Sequence, residues 1–177
     1  LWSPDSQKLL SHRIDTRHLP TAYPLVEHIP SDGSTRPVLR NAERKLALGG
    51  EDHCEAWAFL SIDVASGAVV LIDQPPCPMI YPVYLGYYLS GRGWWDANSQ
   101  HAYNIYQAID GTDTKVVRWD TQTGASETVI SEEATMPLLL TPTSHIRIVG
   151  TSLPNSNELL WYSERSGWGH LYLYDQV

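Results

Sequence analysis

The chain has 177 residues, of which 42% are hydrophobic and 18% are charged, and its formal net charge is −8. A chain of this length buries roughly 70% of its unfolded surface, so it needs neither disulfides nor a metal ion in order to fold. The acidic balance excludes a nucleic-acid-binding protein that relies on a basic surface.

Short runs of β-branched and aromatic residues, bounded by Gly, Pro, Asn or Asp, predict strands along most of the chain. Seven Trp and ten Tyr against one Phe also favour half-buried sheet surfaces. Two segments have some helical character. Ser6–Leu19 has apolar spacing that fits a helix poorly, whereas Pro37–Leu48 begins with proline and is followed by two glycines. The clearest predicted strands are, in chain order, Ala58–Asp63, His101–Ile109, Lys115–Trp119, Ile146–Val149, Leu159–Ser163 and His170–Tyr174.

Membrane and targeting segments are not visible. The longest apolar stretches, Ala68–Ile72 and Met136–Leu140, are much shorter than the ~18 residues of a membrane-spanning helix. The sequence has no positively charged segment followed by an apolar one, which is the pattern typical of a signal peptide. Because residue 1 is Leu rather than Met, we expect the sequence to start within a longer chain. The sequence therefore predicts no membrane partner, and leaves a cytoplasmic and a periplasmic or secreted location both open.

Two sequence patterns recur with one period. The polar turns that precede a strand are Pro4–Gln7, Ala97–Gln100 and Pro154–Asn157. The Asp residues that end an alternating strand are Asp63, Asp120 and Asp175. Both patterns advance by 57 residues between their first clear neighbours, Asn98 to Asn155 and Asp63 to Asp120. Four short strands with their turns occupy ~40–45 residues in a propeller blade, so this period predicts a β-propeller with somewhat longer loops.

The period also sets the number of blades. Dividing the chain by it gives about three units, whereas closed propellers have typically 4–8 blades. We therefore predict an all-β fold: an incomplete arc of about three four-stranded antiparallel blades, at approximately 1–75, 76–131 and 132–177, with no catalytic domain. Because an open arc exposes strand edges and inter-blade faces, we also expect self-association.

Several of these residues carry a family resemblance. The segments Leu1–Ser6, Tyr23–Glu27 and above all Trp161–Asp175 resemble the propeller of the dipeptidyl peptidase IV family, within the prolyl oligopeptidase group of serine peptidases. The resemblance implies an eight-bladed propeller that covers an α/β-hydrolase domain of the same parent chain and limits its substrates to short peptides. It also implies release of Xaa-Pro dipeptides by a Ser-Asp-His triad. In the family register Glu43–Leu48 is a strand rather than part of a helix.

No catalytic, cofactor-binding or metal site is expected in this chain. The nucleophile motif G-x-S-x-G is absent, since its nearest strings, 124–128 and 150–154, lack the closing glycine. By the resemblance, a triad would lie beyond Val177, and the family's pair of substrate-anchoring glutamates would precede Leu1. Glu132–Glu133 falls in a different blade, and we predict a solvated acidic turn there.

Potential metal ligands and cysteines lack the spacing of a site. Glu51–Glu55 holds five candidate ligands, but adjacent residues point apart, and no partner cluster has zinc spacing. His12, His18 and His28 are spaced no better. We therefore predict a polar loop and no metal cofactor. Cys54 and Cys77 are predicted to be unpaired, although their pairing stays open.

Three tryptophans and one arginine have two interpretations each. Trp94, Trp95 and Trp168 either form a stacking platform for sugars or peptides or pack between blades, and their frequency on sheets favours packing. Arg165 is predicted to form a solvated surface ion pair rather than to contact a partner domain.

The leading hypothesis is the non-catalytic propeller of a dipeptidyl-peptidase-IV-like serine peptidase, with a hydrolase domain and peptide substrates as partners. The alternatives are a stand-alone propeller that binds proteins or glycans, and a family member that has lost its triad.

Overall fold

The computed structural model describes residues 1–17, 19, 24–41, 55–78, 92–108, 112–133, 150–152 and 158–175. All regular structure among them is β, and none of them lies in a helix that could span a membrane. In chain order the strands are β1 (Lys8–Ile14), β2 (Pro24–Glu27), β3 (Val38–Asn41), β4 (Ala56–Asp63), β5 (Val69–Leu71), β6 (Cys77–Pro78), β7 (Gly93–Trp95), β8 (His101–Gln107), β9 (Asp113–Asp120), β10 (Ser126–Glu133), β11 (Gly150–Ser152), β12 (Glu158–Ser163) and β13 (His170–Asp175).

The two segments with helical character contain strands. Half of Ser6–Leu19 is β1, and β3 begins within Pro37–Leu48. The predicted strands Glu43–Leu48 and Ile146–Val149 and the predicted turn Pro154–Asn157 lie outside the described residues.

The four strands β7 to β10 form one propeller blade. They pair antiparallel in chain order, so that the chain runs back and forth across a single sheet. The turn between β9 and β10 is closed by Asp120, whose Oδ1 accepts hydrogen bonds from the amides of Gln122 (2.7 Å) and Thr123 (2.9 Å). We call this sheet the second blade.

The first and third blades repeat this plan. The first consists of β1, β4 and β5, with β6 pairing farther along β4, and the bridge between Trp2 and Leu9 stands where β7 pairs with β8. The third blade consists of β11, β12 and β13. The Asp residue that ends each third strand faces the first residue of the strand before it: Lys8↔Asp63, His101↔Asp120 and Glu158↔Asp175. The structure thus confirms the three-blade arc and its period.

Alternation along the strands of the second blade produces two apolar faces. One face, with Ala102 and Trp119, packs in one cluster with Leu10, Trp57 and Phe59 of the first blade. We call this contact the first seam. The opposite face packs against the third blade in what we call the second seam; its buried members are Tyr103, Ile105, Val116, Ile130, Leu159 and Trp161. Each blade is therefore held by the side chains of its neighbours.

The two edges of the arc differ in the length of their connections. One edge, which we call the tight-turn edge, has the short turns 4–7, 64–68, 97–100 and 121–125. The other, which we call the long-loop edge, has the connections between blades and those between the second and third strands of each blade; of the latter, 108–112 and 164–169 are about as short as the turns of the first edge. In the first blade that connection carries the hairpin of β2 and β3. Because long connections on a rigid scaffold are where binding groups concentrate, a functional site is to be sought at the long-loop edge.

Candidate functional site

Charged and aromatic side chains gather at the long-loop edge of the second seam. Glu132 comes from β10 of the second blade. Ser163 ends β12, Arg165 lies in the turn that follows, and Tyr172 and Tyr174 come from β13. We call these five residues the Glu132 cluster. They join two blades that are consecutive in the chain.

Glu132 is placed by the alternation of β10. Its neighbour Glu133 is exposed, whereas Glu132 is only 8% exposed and faces Thr114 across the sheet. The predicted solvated acidic turn is therefore wrong, because both residues lie in a strand and point to opposite faces. Two adjacent acidic residues look alike in a sequence, but a strand buries one of them.

The carboxylate of Glu132 has partners in the third blade. The hydroxyl of Ser163, which is 2% exposed, donates a hydrogen bond of 2.7 Å to Oε2 of Glu132. Nη1 of Arg165 lies 3.9 Å from Oε1. The predicted solvated surface pair is thus replaced by a half-exposed arginine beside a buried carboxylate.

Arg165 is held by the two tyrosines of β13. Its guanidinium lies 3.7 Å from the ring centroid of Tyr172, a cation–π contact, and it donates a hydrogen bond to the hydroxyl of Tyr174. Burial raises the pKa of Tyr174 above its ordinary value, with Arg165 opposing this shift and Glu132 adding to it. The cluster therefore orients a cation over aromatic rings beside one buried negative charge.

This geometry does not activate a nucleophile. Ser163 donates its proton to a carboxylate, whereas a serine nucleophile of the triad type donates to an imidazole. His170, opposite Ser163 in the strand register, is exposed and meets Tyr172 edge-on at 6.4 Å. The contacts of the Glu132 cluster instead join the second blade to the third.

The repeat shows how unusual Glu132 is for its position. Glu132 faces Thr114 in the second blade as Cys77 faces Trp57 in the first. Cys77 is 5% exposed, and its sulfur lies 3.9 Å from the carbonyl oxygen of Ile105. Sequence reasoning missed this contrast, although aligning the repeats at these positions would have shown a carboxylate where the preceding blade has a thiol. Cys54, the other cysteine, lies outside the described residues.

The tryptophans divide into two groups. Trp95 is 8% exposed in the first seam, and Trp94 stacks on Tyr103 with 5.4 Å between ring centroids, so both pack as predicted. Trp168, in contrast, is 79% exposed in the turn between β12 and β13. The prediction that it packs between blades is wrong, because the turn carries its side chain away from the sheet.

The candidate metal ligands lie in different surroundings. The ring of His12 stacks on Trp57 at 4.0 Å, and His28 is exposed. His18 and residues 51–54 lie outside the described part of the chain. Within that part, no three His, Cys, Asp or Glu side chains are arranged to hold a metal ion.

Comparisons with known proteins agree with this architecture. The model of the dipeptidyl peptidase IV (DPP IV) N-terminal region matches residues 60–177. Among solved structures, a Bacteroides ovatus protein assigned as a dipeptidyl aminopeptidase IV has a TM-score of 0.73 at 19% identity, over 99% of this chain. Porphyromonas gingivalis dipeptidyl peptidase 4 has a TM-score of 0.67 at 16% identity, over 98% of this chain. At such identities the likeness concerns the fold.

The chain spans 22% of the length of each of these two proteins. A search of curated proteins found no match.

Proposed function

Because the chain belongs to the family of the dipeptidyl peptidase IV N-terminal region, we propose that it is the non-catalytic propeller portion of a serine peptidase of this type. In this role the three blades cover a hydrolase domain and limit its substrates to short peptides. The observation that carries the proposal is the family match over residues 60–177, which include all of the second and third blades.

The outer faces of the arc support a larger assembly. On the first blade, Val69 and Leu71 are 57% and 43% exposed and face away from the first seam. On the third blade, Leu171 and Leu173 are 62% and 56% exposed on the face opposite the second seam. Exposed apolar sheet faces of this kind are suited to a further blade. In isolation they favour self-association, which light scattering across a range of concentrations would detect; a clean monomer at high concentration would contradict it.

The catalytic part of the proposal is tested with a Gly-Pro chromogenic peptide. We expect no release of chromophore by the purified chain. The gene that encodes this chain, read past Val177, should continue into about 250 residues of α/β pattern with a G-x-S-x-G motif. The protein so encoded should release the chromophore, and its variant with the motif serine replaced by alanine should not. Turnover by the chain alone that survives repurification would contradict the proposal.

The limit on substrate size is tested on that same longer protein. It should cleave a short peptide, and leave intact a folded protein that carries the same N-terminal residues. Equal cleavage of both would show that the propeller does not restrict access. The matched N-termini keep the chemistry at the cleaved bond constant.

One observation favours a second candidate function, a propeller that binds proteins or glycans. Trp168 is 79% exposed in the turn that also contains Arg165, at the long-loop edge. An exposed aromatic ring of this kind stacks on sugars or apolar side chains. A reading frame that ends after the last blade, without a hydrolase domain, would favour this candidate over the peptidase.

A further inference from the structure

Equivalent positions of the two seams hold different kinds of residue. In the first blade, Trp57, Ser61 and Cys77 face the second blade. Their counterparts facing the third blade are Thr114, Arg118 and Glu132, as the strand registers show. The first seam is thus largely apolar at these positions, while the second has a charged side chain at each edge.

The second seam also buries polar atoms that lack a hydrogen-bond partner. Among the described residues, Oγ1 of Thr114 and Nε1 of Trp161 are inaccessible to solvent and form no hydrogen bond, and buried Oε1 of Glu132 has the guanidinium of Arg165 at 3.9 Å in place of a hydrogen bond. The first seam buries polar atoms of the same kind, Nδ2 of Asn104 among them, so these atoms alone do not distinguish the two seams; the carbonyl oxygen of the Asn104 side chain accepts a 2.8 Å hydrogen bond from Trp119. Buried polar atoms without partners weaken a contact, because they give up water and gain nothing in return.

Cross-seam hydrogen bonds fasten the first seam at the tight-turn edge. Ser61 donates to the carbonyl oxygen of Thr121 (2.7 Å), and Lys8 donates to the hydroxyl of Thr121 (3.0 Å). The amide of Asp73 donates to the carbonyl oxygen of Gly124 (2.8 Å). The ammonium of Lys8 is half-buried, and the other two contacts involve no charged group, so this edge is closed mainly by uncharged hydrogen bonds.

The second seam contains a cleft at its own tight-turn edge. It has a volume of about 240 Å³ and is lined by polar residues of the second blade, including Arg118 and Glu127, and by Leu159 and Tyr174 of the third. Arg118 turns toward its own blade and pairs with Glu127 at 3.3 Å. Among the described residues, the seam therefore has a cleft at one edge and is joined by Glu132 at the other.

We propose that the second seam is the joint at which the arc opens, and that the buried carboxylate of Glu132, bonded to Ser163 and facing Arg165, is the latch that keeps it closed. Buried ionic contacts contribute less net stability than apolar packing of the same volume. The second seam therefore opens at a lower free energy than the first, and does so while both blades keep their own strand pairing. This property belongs to the arc itself and does not depend on a hydrolase domain.

Thiol modification of the folded protein measures the two openings separately. Cys77 is buried in the first seam and serves as the reporter there. Val116 is 0% exposed in the second seam, and Val116→Cys places a thiol of similar volume there. Both changes are made in a Cys54→Ser background, and alkylation at each position is followed by peptide mass spectrometry.

We expect the thiol at position 116 to be alkylated about tenfold or more faster than Cys77, because the seam that opens at lower free energy exposes its side chains more often. Equal rates, or faster reaction at Cys77, would overturn the proposal. Ile130→Cys, on the adjoining strand of the same seam, repeats the measurement and guards against a local defect caused by Val116→Cys.

The latch is tested by Glu132→Ala, with Glu133→Ala as the matched control. Glu132→Ala should speed alkylation at position 116 by a further factor of about ten and leave Cys77 unchanged, since it removes the carboxylate that joins the blades. Glu133→Ala, on the exposed side of the same strand, should change neither rate. Equal acceleration at both thiols would indicate global unfolding, and no acceleration at position 116 would exclude a latch; either result overturns the proposal.

Discussion

Gly67 and Gly124 occupy the same place in successive blades and share a left-handed backbone, but only Gly124 touches the neighbouring blade. Their φ angles are +72° and +82°, and their amides donate to the carbonyl oxygens of Asp63 and Asp120 at 2.8 and 2.9 Å. A Cβ on Gly124 would lie 2.3 Å from the carbonyl oxygen of Leu71, whereas a Cβ on Gly67 would have nothing within 4 Å. The same turn therefore carries two different constraints.

Substituting these two glycines separates the constraints. Gly67→Ala should lower the free energy of unfolding by about 1–2 kcal/mol, the cost of a left-handed backbone for a residue with a Cβ. Gly124→Ala should lower it by about 3 kcal/mol or more, because the clash with Leu71 displaces backbone of the first blade as well. Urea unfolding of the two variants measures the difference. Equal losses would show that the first seam yields freely at this contact.

The stability of the protein should depend on His12 in mildly acidic solution. Burial lowers the pKa of His12 below its ordinary value of 6.5. The folded state therefore favours the neutral ring. The stability that neutral His12 contributes is complete above pH 6.5. It is lost as the pH falls from there through the pKa of His12 in the folded state.

His12→Phe keeps a ring against Trp57 but cannot be protonated. Melting temperatures measured from pH 8 to pH 5 should fall more steeply for the native protein than for this variant. Parallel curves would show that protonation of His12 is not linked to folding. Asp5 and Asp63, whose pKa values are lowered by hydrogen bonds from Ser3 and Ser66 respectively, act in a more acidic range and affect both proteins alike.

The hydrogen bond between Ser163 and Glu132 is suited to a double-mutant cycle. Ser163→Ala should cost about 1.5–3 kcal/mol, since it removes a donor from a buried carboxylate. Combining it with Glu132→Met should recover most of that loss, because an apolar pair no longer requires a donor. Chemical denaturation of the native protein, both single variants and the double variant gives the coupling energy. Strictly additive losses would contradict this account.

Trp161 and Trp168 give a matched pair of aromatic substitutions in one blade. Trp161 is 1% exposed in the second seam, so Trp161→Ala should cost about 3–5 kcal/mol. Trp168 is 79% exposed, so Trp168→Ala should change stability by no more than about 0.5 kcal/mol. Thermal unfolding distinguishes the two outcomes. A large loss for Trp168→Ala would mean that this ring supports the fold.

The sequence predicted the architecture because the repeat depends on local chemistry. Asp63 and Asp120 each end a strand and accept hydrogen bonds from amides of the turn that follows, so the same residues recur at the same step. The Glu132 cluster could not be predicted in this way. Glu132 and Arg165 lie 33 residues apart and belong to different blades, and only the seam between those blades brings them together. Trp168 was misjudged for a related reason, because composition places tryptophans on sheets but does not say which one lies in a turn.

The difference between the two edges of the arc determines where insertions are tolerated during evolution. The tight turns fix where each strand begins, so an insertion there would shift the alternation and bring polar side chains into a seam. The opposite edge carries no such constraint, and the first blade already contains the hairpin of β2 and β3 there without any loss of register between β1 and β4. New segments can therefore accumulate along one rim while the repeat continues unchanged along the other.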